Sequence, residues 1–255
     1  MVLPTAPVSQ VSIVEGFTTL SGPRIRYLTN RADADPSAGL PLLFAPGVSD
    51  FADEYHEVLE YFWPRRALVV EVRGRGGSEA PASGYHVDDH MADIRAVLDE
   101  EGIGLCHLMT FSRGSSWGLE LAITQPSRVA SLSIGDYWAI ELGMADDFTD
   151  RMMATRFRGK PLTDRIQPHV LKGLQQESQS RALWSHLGDL PFPVLVAVGT
   201  EPGRLVDEAG IRQYREARPD VEIVAIEGAA HDLFRPDRLA YPRAVAEFIA
   251  RRTGN

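Results

Sequence analysis

From Pro41 to Arg251, short apolar runs alternate with stretches of helical spacing, and that alternation leaves few architectures open. Pro41 to Ala45, Ala67 to Val72, Leu105 to Phe111, Val129 to Ile134, Pro193 to Val198 and Val221 to Ile226 each read as a strand. Ala52 to Trp63, Asp88 to Glu101, Ser115 to Thr124, Val206 to Ala217 and Leu239 to Arg251 read as helices. In the second of these, Met91, Ile94, Val97 and Leu98 form one stripe. Apolar strands alternating with helices make βαβ units, and so a parallel sheet covered on both faces. The start of the chain differs. Val11 to Val14, Phe17 to Leu20 and Ile25 to Leu28 alternate like antiparallel strands, with a turn at Ser21-Gly-Pro23 and an exposed loop from Arg31 to Gly39. A mixed sheet with an antiparallel edge fits both halves of the pattern.

One stretch breaks the alternation. Ala139 to Asp189 has helix-like pieces and no convincing strand, and carries Met144, Phe148, Met152, Met153, Phe157 and Trp184. Inserted after a strand, it reads as a helical lid over one end of the sheet. No repeat, low-complexity tract or linker interrupts the rest. Residues 1–255 therefore read as one domain with a cap at about 139–189.

Composition excludes several functions. The net charge is −9 and no Lys/Arg cluster offers a basic face, which phosphate binding requires. The single cysteine, Cys106, rules out an intramolecular disulfide and a cysteine-based zinc site, and in its apolar run it reads as a small buried hydrophobe. No H-E-x-x-H and no G-x-G-x-x-G is present. No leader-like start is visible, and no window nears the roughly 18 apolar residues of a membrane span. A cytoplasmic protein with no metal or cofactor is expected. Its expected partner is a small-molecule substrate rather than nucleic acid or membrane, and assembly into a homo-oligomer stays open.

In an open α/β sheet, ligands bind beyond the carboxyl ends of the strands. Thr110-Phe-Ser112-Arg-Gly114 lies at such an end, between a strand and a helix. A serine hydroxyl needs a base to become a nucleophile. A sharp strand-to-helix turn would lift its Oγ clear of the backbone, at a helix N-terminus that favours negative charge. The plainer alternative is a helix N-cap. Gly228-Ala-Ala-His231-Asp232 follows the last strand, in the order serine, acid, histidine. His56, His86, His90, His107, His169 and His186 lack that placement and read as surface or structural.

These segments resemble the α/β-hydrolase fold family, in its esterase, lipase and haloperoxidase-like branch. Arg73-Gly-Arg-Gly-Gly-Ser78 is similar to the family's D-x-R-G-x-G-x-S loop, with Glu71 at the Asp position and structural roles for Arg73 and Arg75. Ala229-Ala-His-Asp-Leu-Phe234 is similar to its G-x-G-H-D-L-F segment. The resemblance runs from about Val11 to Arg251. It implies a mostly parallel, doubly wound, eight-stranded sheet with a small inserted helical cap. It also implies Ser112 as nucleophile, His231 as general base, and an oxyanion hole from the N–H groups of Val48 and Arg113. Two departures stand out: Thr110 replaces the usual first glycine of the elbow, and Pro46-Gly47 replaces the usual His-Gly. The acid is Asp136, directly after the sixth strand of the family, or alternatively Glu201, beside the slot after the seventh. Asp207 and Asp232 are weaker candidates, Asp232 reading as a loop cap. A serine at the elbow disfavours the dehalogenases, which need a carboxylate there.

Tyr137, Trp138, Phe148, Trp184 and Met144 are candidate linings of an apolar pocket, or the lid's own core. The leading expectation is a serine hydrolase for a carboxylic ester, thioester or lactone with an apolar part. The alternatives are a cofactor-free lyase, C–C hydrolase or perhydrolase on the same fold, and a non-enzymatic ligand binder.

Overall fold

The computed structural model describes residues 11–20, 22–31, 35–157 and 159–253. The turn residue Ser21 and the centre of the loop from Arg31 to Gly39 lie outside the described residues. Eight strands form one sheet: β1 (Val14–Phe17), β2 (Arg26–Thr29), β3 (Leu42–Ala45), β4 (Ala67–Glu71), β5 (Cys106–Phe111), β6 (Val129–Gly135), β7 (Val194–Gly199) and β8 (Glu222–Ile226). Their order is β1-β2-β4-β3-β5-β6-β7-β8. The pairs β1–β2 and β2–β4 are antiparallel, and all others are parallel.

Between the strands run helices α1 (His56–Phe62), α2 (Val87–Glu100) and α3 (Gly114–Thr124). The cap then holds α4 (Phe148–Ala154), α5 (Pro168–Glu177) and α6 (Trp184–Leu187), and α7 (Glu208–Ala217) and α8 (Ala240–Thr253) complete the layers. Strand residues divide between two cores by their parity. Leu43, Leu108, Val194 and Val196 face a core shared with Ile94 and Val97 of α2, Trp117 of α3 and Tyr214 of α7. Leu42, Phe44, Met109 and Leu195 face another, shared with Leu59 of α1 and Phe248 of α8. Both faces of the sheet are thus covered, which is why these strands read as continuous apolar runs.

The start of the chain departs from the expectation. Val11 to Val14 and Phe17 to Leu20 were each expected to be strands, yet a single strand, β1, spans the junction between them. Gly16 breaks the apolar pattern but lies under the Tyr27 ring, where a Cβ would come within 2.2 Å of Cζ. Thr18 then closes the hairpin, its N–H donating to Ile25 O at 2.9 Å.

Contrary to expectation, the cap also contains strand pairing. Ile140–Glu141 pairs with Arg181–Ala182 and ties the two ends of the insertion together, and Arg156–Phe157 pairs with Lys160–Pro161. Two-residue ladders carry no readable period, so the sequence pattern misses them. Phe148, Leu162, Ile166, Val170, Leu171 and Leu174 form a small core with Tyr85, and Val48 packs against it.

The sheet order positions the site. The chain steps out from β3 to β4, then returns past β3 to β5, so the strand order reverses at the β3–β5 pair. Ala45 is in register with Thr110, which sets the loop after β3 beside the loop after β5.

Candidate active site

Ser112 occupies the turn between β5 and α3 with φ 51°, a left-handed conformation that a serine adopts only when its surroundings impose it. Its N–H donates to Gly135 O at 2.9 Å, and its C=O accepts from Ser115 N at 2.8 Å. Gly114 is required there, because a Cβ would come within 2.3 Å of the Ala45 and Pro46 carbonyl oxygens. Thr110 is accommodated from across the turn. Gly118 leaves room for its methyl, since a Cβ on Gly118 would stand 2.5 Å from Thr110 Cγ2. Thr110 Oγ1 lies 2.9 Å from both Ser133 O and Ser115 Oγ.

His231 lies in the loop after β8, its ring stacked on Phe111 at 5.2 Å. Ser112 Oγ is 2.9 Å from Nε2, and Asp136 Oδ2 is 2.8 Å from Nδ1. This geometry has Nδ1–H donating to the carboxylate, which leaves Nε2 to accept from the serine hydroxyl. Asp136 follows β6 with φ 42° and is completely buried. Its N–H donates to Ala197 O at 2.8 Å. Its carboxylate also accepts from Leu205 N at 2.9 Å and Val206 N at 3.1 Å, both in the loop after β7. Both carboxylate oxygens therefore have a backbone N–H donor. Glu201 is exposed, and its backbone N–H, not its side chain, binds the histidine loop, donating to Ala229 O at 2.9 Å. Asp207 accepts from Gly210 N and caps α7, and Asp232 accepts from Phe234 N within its own loop.

Arg113 follows Ser112 and Val48 follows Gly47 in the loop after β3, and neither N–H has a backbone acceptor among the described residues. Gly47 lets this loop lie close to the nucleophile, as its Cβ position is 3.2 Å from Ser112 Cβ. Gly47 N–H donates to Asp50 Oδ2 at 2.8 Å, which closes the loop after β3. The Arg113 side chain is buried and paired with Glu141 of the cap, and also donates to Leu142 O at 2.9 Å. Burial pushes the Glu141 pKa up, while the Arg113 charge acts against that shift. Asp50 and Glu141 escaped the sequence reading. Only the three-residue spacing from Gly47 hinted at Asp50, and nothing in the sequence pointed to Glu141.

The proposed pocket residues go to different places. Phe148 belongs to the cap core, packed with Leu171 and Leu174. Trp184 packs edge-on against Tyr214 of α7 at 4.8 Å, in the main core rather than at Ser112. Trp138 lies against α7, 3.6 Å from the Cβ position of Gly210. Tyr137 is buried beside Arg113, and burial pushes its phenol up to about 12. Aromatic side chains on an insertion serve its own packing as readily as a ligand, so composition alone could not separate the two.

Arg73, His107 and Cys106 have structural places. Arg73 Nε lies 2.9 Å and Nη2 2.7 Å from the buried Asp93 carboxylate on α2. His107 Nδ1 lies 2.8 Å from Ser131 Oγ, and burial lowers its pKa to about 4. Cys106 is a buried free thiol. No described helix is long and apolar enough to cross a membrane, and no described group of three or more His, Cys, Asp or Glu is placed to hold a metal ion.

Sheet order, elbow and histidine loop define one class of protein, and the model of the alpha/beta hydrolase fold matches residues 41–169, half of the chain. The chain belongs to the α/β-hydrolase fold family. It is 30% identical over 107 residues to a putative carbamate hydrolase RutD of Variovorax paradoxus, a match covering 41% of this chain and 40% of that protein. It is 24% identical over 251 residues to a 2-(acetamidomethylene)succinate hydrolase of Mesorhizobium japonicum, covering 84% of this chain and 90% of that protein. The crystal structure of the enol-lactonase from Burkholderia xenovorans LB400 superposes with a TM-score of 0.76 at 16% identity, covering 92% of this chain and all of the other.

Proposed function

We propose that this protein is a serine hydrolase that cleaves a carboxylic ester, thioester or lactone with an apolar part, through an acyl-enzyme on Ser112. One observation carries the reading: His231 bridges Ser112 and the buried Asp136 at 2.9 and 2.8 Å. His231 takes the Ser112 proton as Oγ attacks the carbonyl carbon, then returns it to the leaving oxygen or sulfur. Asp136 holds the productive tautomer and offsets the imidazolium charge. Val48 and Arg113 N–H groups receive the oxyanion, where loss of one donor typically costs about 10²–10³ in kcat. Water, activated by the same histidine, then attacks the acyl carbon and frees Ser112. The missing His-Gly does not weaken this, because the donor is a backbone group.

A fluorophosphonate probe should label Ser112 in the wild-type protein, and Ser112→Ala should take up none. Ser112→Ala should also lose about 10⁶ in kcat. A folded wild-type protein that takes up no label would overturn the reading. The same geometry argues against a binding-only role.

A second reading is favoured by the names of relatives, a carbamate hydrolase and a 2-(acetamidomethylene)succinate hydrolase. The acyl bond cleaved would then be to nitrogen, with His231 protonating the leaving amine. A matched panel of p-nitrophenyl esters and acyl p-nitroanilides separates the two. Esters turned over faster than in background by a wide margin support the first, and anilides at comparable kcat/KM support the second.

A further inference from the structure

The donor N–H of Val48 sits in a loop whose next two carbonyls are each held by an arginine. Arg75 Nε donates to Val48 O at 3.0 Å. Arg165, from the cap, donates through Nη1 to Ser49 O, also at 3.0 Å. The two arginines come from different parts of the chain and meet at their backbones, where Arg75 forms an isolated antiparallel bridge to Ile166.

Arg75 is an expensive residue to bury. It is 1% exposed, and no described carboxylate lies within ion-pair distance of it. Its neighbour Arg73 takes Asp93, and burial pushes the Arg75 pKa down to about 9. Its guanidinium is held by neutral groups instead. Nη1 donates to Arg73 O at 2.6 Å and lies 3.0 Å from His90 Nε2. His90 Nδ1–H donates to His86 O at 3.0 Å, so Nε2 is its acceptor side, and burial keeps the ring neutral. The Trp117 ring stacks on His90 at 4.4 Å and lies 5.4 Å from the Arg75 guanidinium. A cation desolvated without a counter-ion is costly to bury. A neutral donor would shape the loop as well. What the cation adds is positive charge next to the peptide that meets a developing oxyanion. Arg165 is fixed in its own way, with Nη2 2.6 Å from Glu54 Oε1 and its guanidinium 4.6 Å above the Phe51 ring.

We infer that Arg75 and Arg165 are positioning residues that aim the Val48 N–H at the oxyanion, and that the cap takes part in acyl transfer through Arg165. This rests on the acyl-transfer reading of the site. The cap is therefore more than a cover. Its residues 165 and 166 set one wall of the oxyanion hole, as the Arg113–Glu141 pair ties the other wall to the cap.

The test compares wild type with Arg165→Met, Arg75→Met and Arg75→Lys. Steady-state turnover of a p-nitrophenyl ester is measured beside inhibition by an alkyl boronic acid, whose serine adduct places an oxygen in the hole. Each variant should lose about 10–10² in kcat with KM moving less than about two-fold, and boronate affinity should fall in step with kcat/KM. Arg75→Lys should not rescue, since one ammonium cannot hold the Val48, Arg73 and His90 acceptors together. Arg165→Met carries the test if the buried Arg75 variants fail to fold. Its amide exchange should quicken at Gly47 and Asp50, whose N–H groups close the loop. Cooperatively folded variants with wild-type kcat, or a loss confined to KM, would overturn the inference while leaving the nucleophile assignment intact. A wild type that neither turns over esters nor takes the fluorophosphonate label sinks the functional reading instead, and the exchange measurement then still decides the loop contacts.

Discussion

The loops after β6 and β7 each end a parallel strand, and each carries a carboxylate that could serve a histidine. Asp136 of the first is wholly buried, with Leu205 N, Val206 N and His231 Nδ1 around its oxygens. Glu201 of the second is exposed. The second loop still contributes to the site, because Leu205 and Val206 belong to it. It supplies the cradle and the first supplies the charge. Arg204 helps shape that cradle, with Nη1 donating to Gly199 O at 3.0 Å and Nη2 to Glu208 Oε1 at 2.9 Å. The contrast teaches that an acid's place is set by who donates to it. Two backbone N–H groups and a histidine repay the desolvation of one carboxylate, and a solvated one beside the site receives nothing comparable.

The strongest way to break this division is Asp136→Asn. An amide keeps the shape but turns one acceptor into a donor, which favours the histidine tautomer with Nε2 protonated and unable to take the serine proton. The expected loss is about 10⁴ in kcat, with folding retained as judged by circular dichroism. A loss below about ten-fold would mean that the loop after β7 shares the role.

Much of this was legible before the structure. The elbow, the histidine loop and the chain order depend on residues close in sequence, such as Ser112 with Gly114 and His231 with Gly228. The choice between Asp136 and Glu201 was not legible, because it is made by hydrogen bonds between loops about 70 residues apart. The same reason hides Arg75 and Arg165, whose acceptors are backbone carbonyls and leave no mark in composition. The two strands expected on either side of Gly16 are one, because the Tyr27 ring packs over the glycine and the strand runs through it.

A smaller test asks whether the β6 loop also leans on α7. Tyr214 is fully buried and its OH donates to Tyr137 O, the carbonyl just past Asp136, at 2.7 Å. Tyr214→Phe removes that bond and should cost about 1–2 kcal/mol in urea unfolding. Catalysis should change less than about three-fold, since the donors to Asp136 stay in place. Burial, then the Asp136 charge, raise the Tyr214 pKa well above 10. A raised acid pKa means that the native state keeps a proton which the unfolded state releases. Its stabilising effect is full below pH about 10 and falls above it by about 1.4 kcal/mol per pH unit. Tyr214→Phe should flatten that alkaline fall, with Tyr241, also raised by burial, accounting for what remains. A ten-fold drop in kcat would show that α7 carries part of the acid's placement.

The smallest effect is expected where the sequence offered the rival acid. Glu201→Gln removes an exposed charge and keeps the backbone N–H that donates to Ala229 O at 2.9 Å, so the histidine loop retains its tie to the β7 loop. Stability should stay within about 0.5 kcal/mol and kcat/KM within about two-fold. The sharper form is the pair Asp136→Asn with Glu201→Gln. If Glu201 swings in when Asp136 is neutralised, the double variant falls below Asp136→Asn alone. If the β7 loop serves only as cradle, the two have the same residual rate. Equal rates are expected. To reach His231 Nδ1, the loop would have to give up its own ties: the Val206 N–H bond, which the side-chain carbonyl of the substituted amide can still accept, and the Glu201 N–H bond to Ala229 O. A solvated carboxylate gains too little from one imidazole to offset losing them.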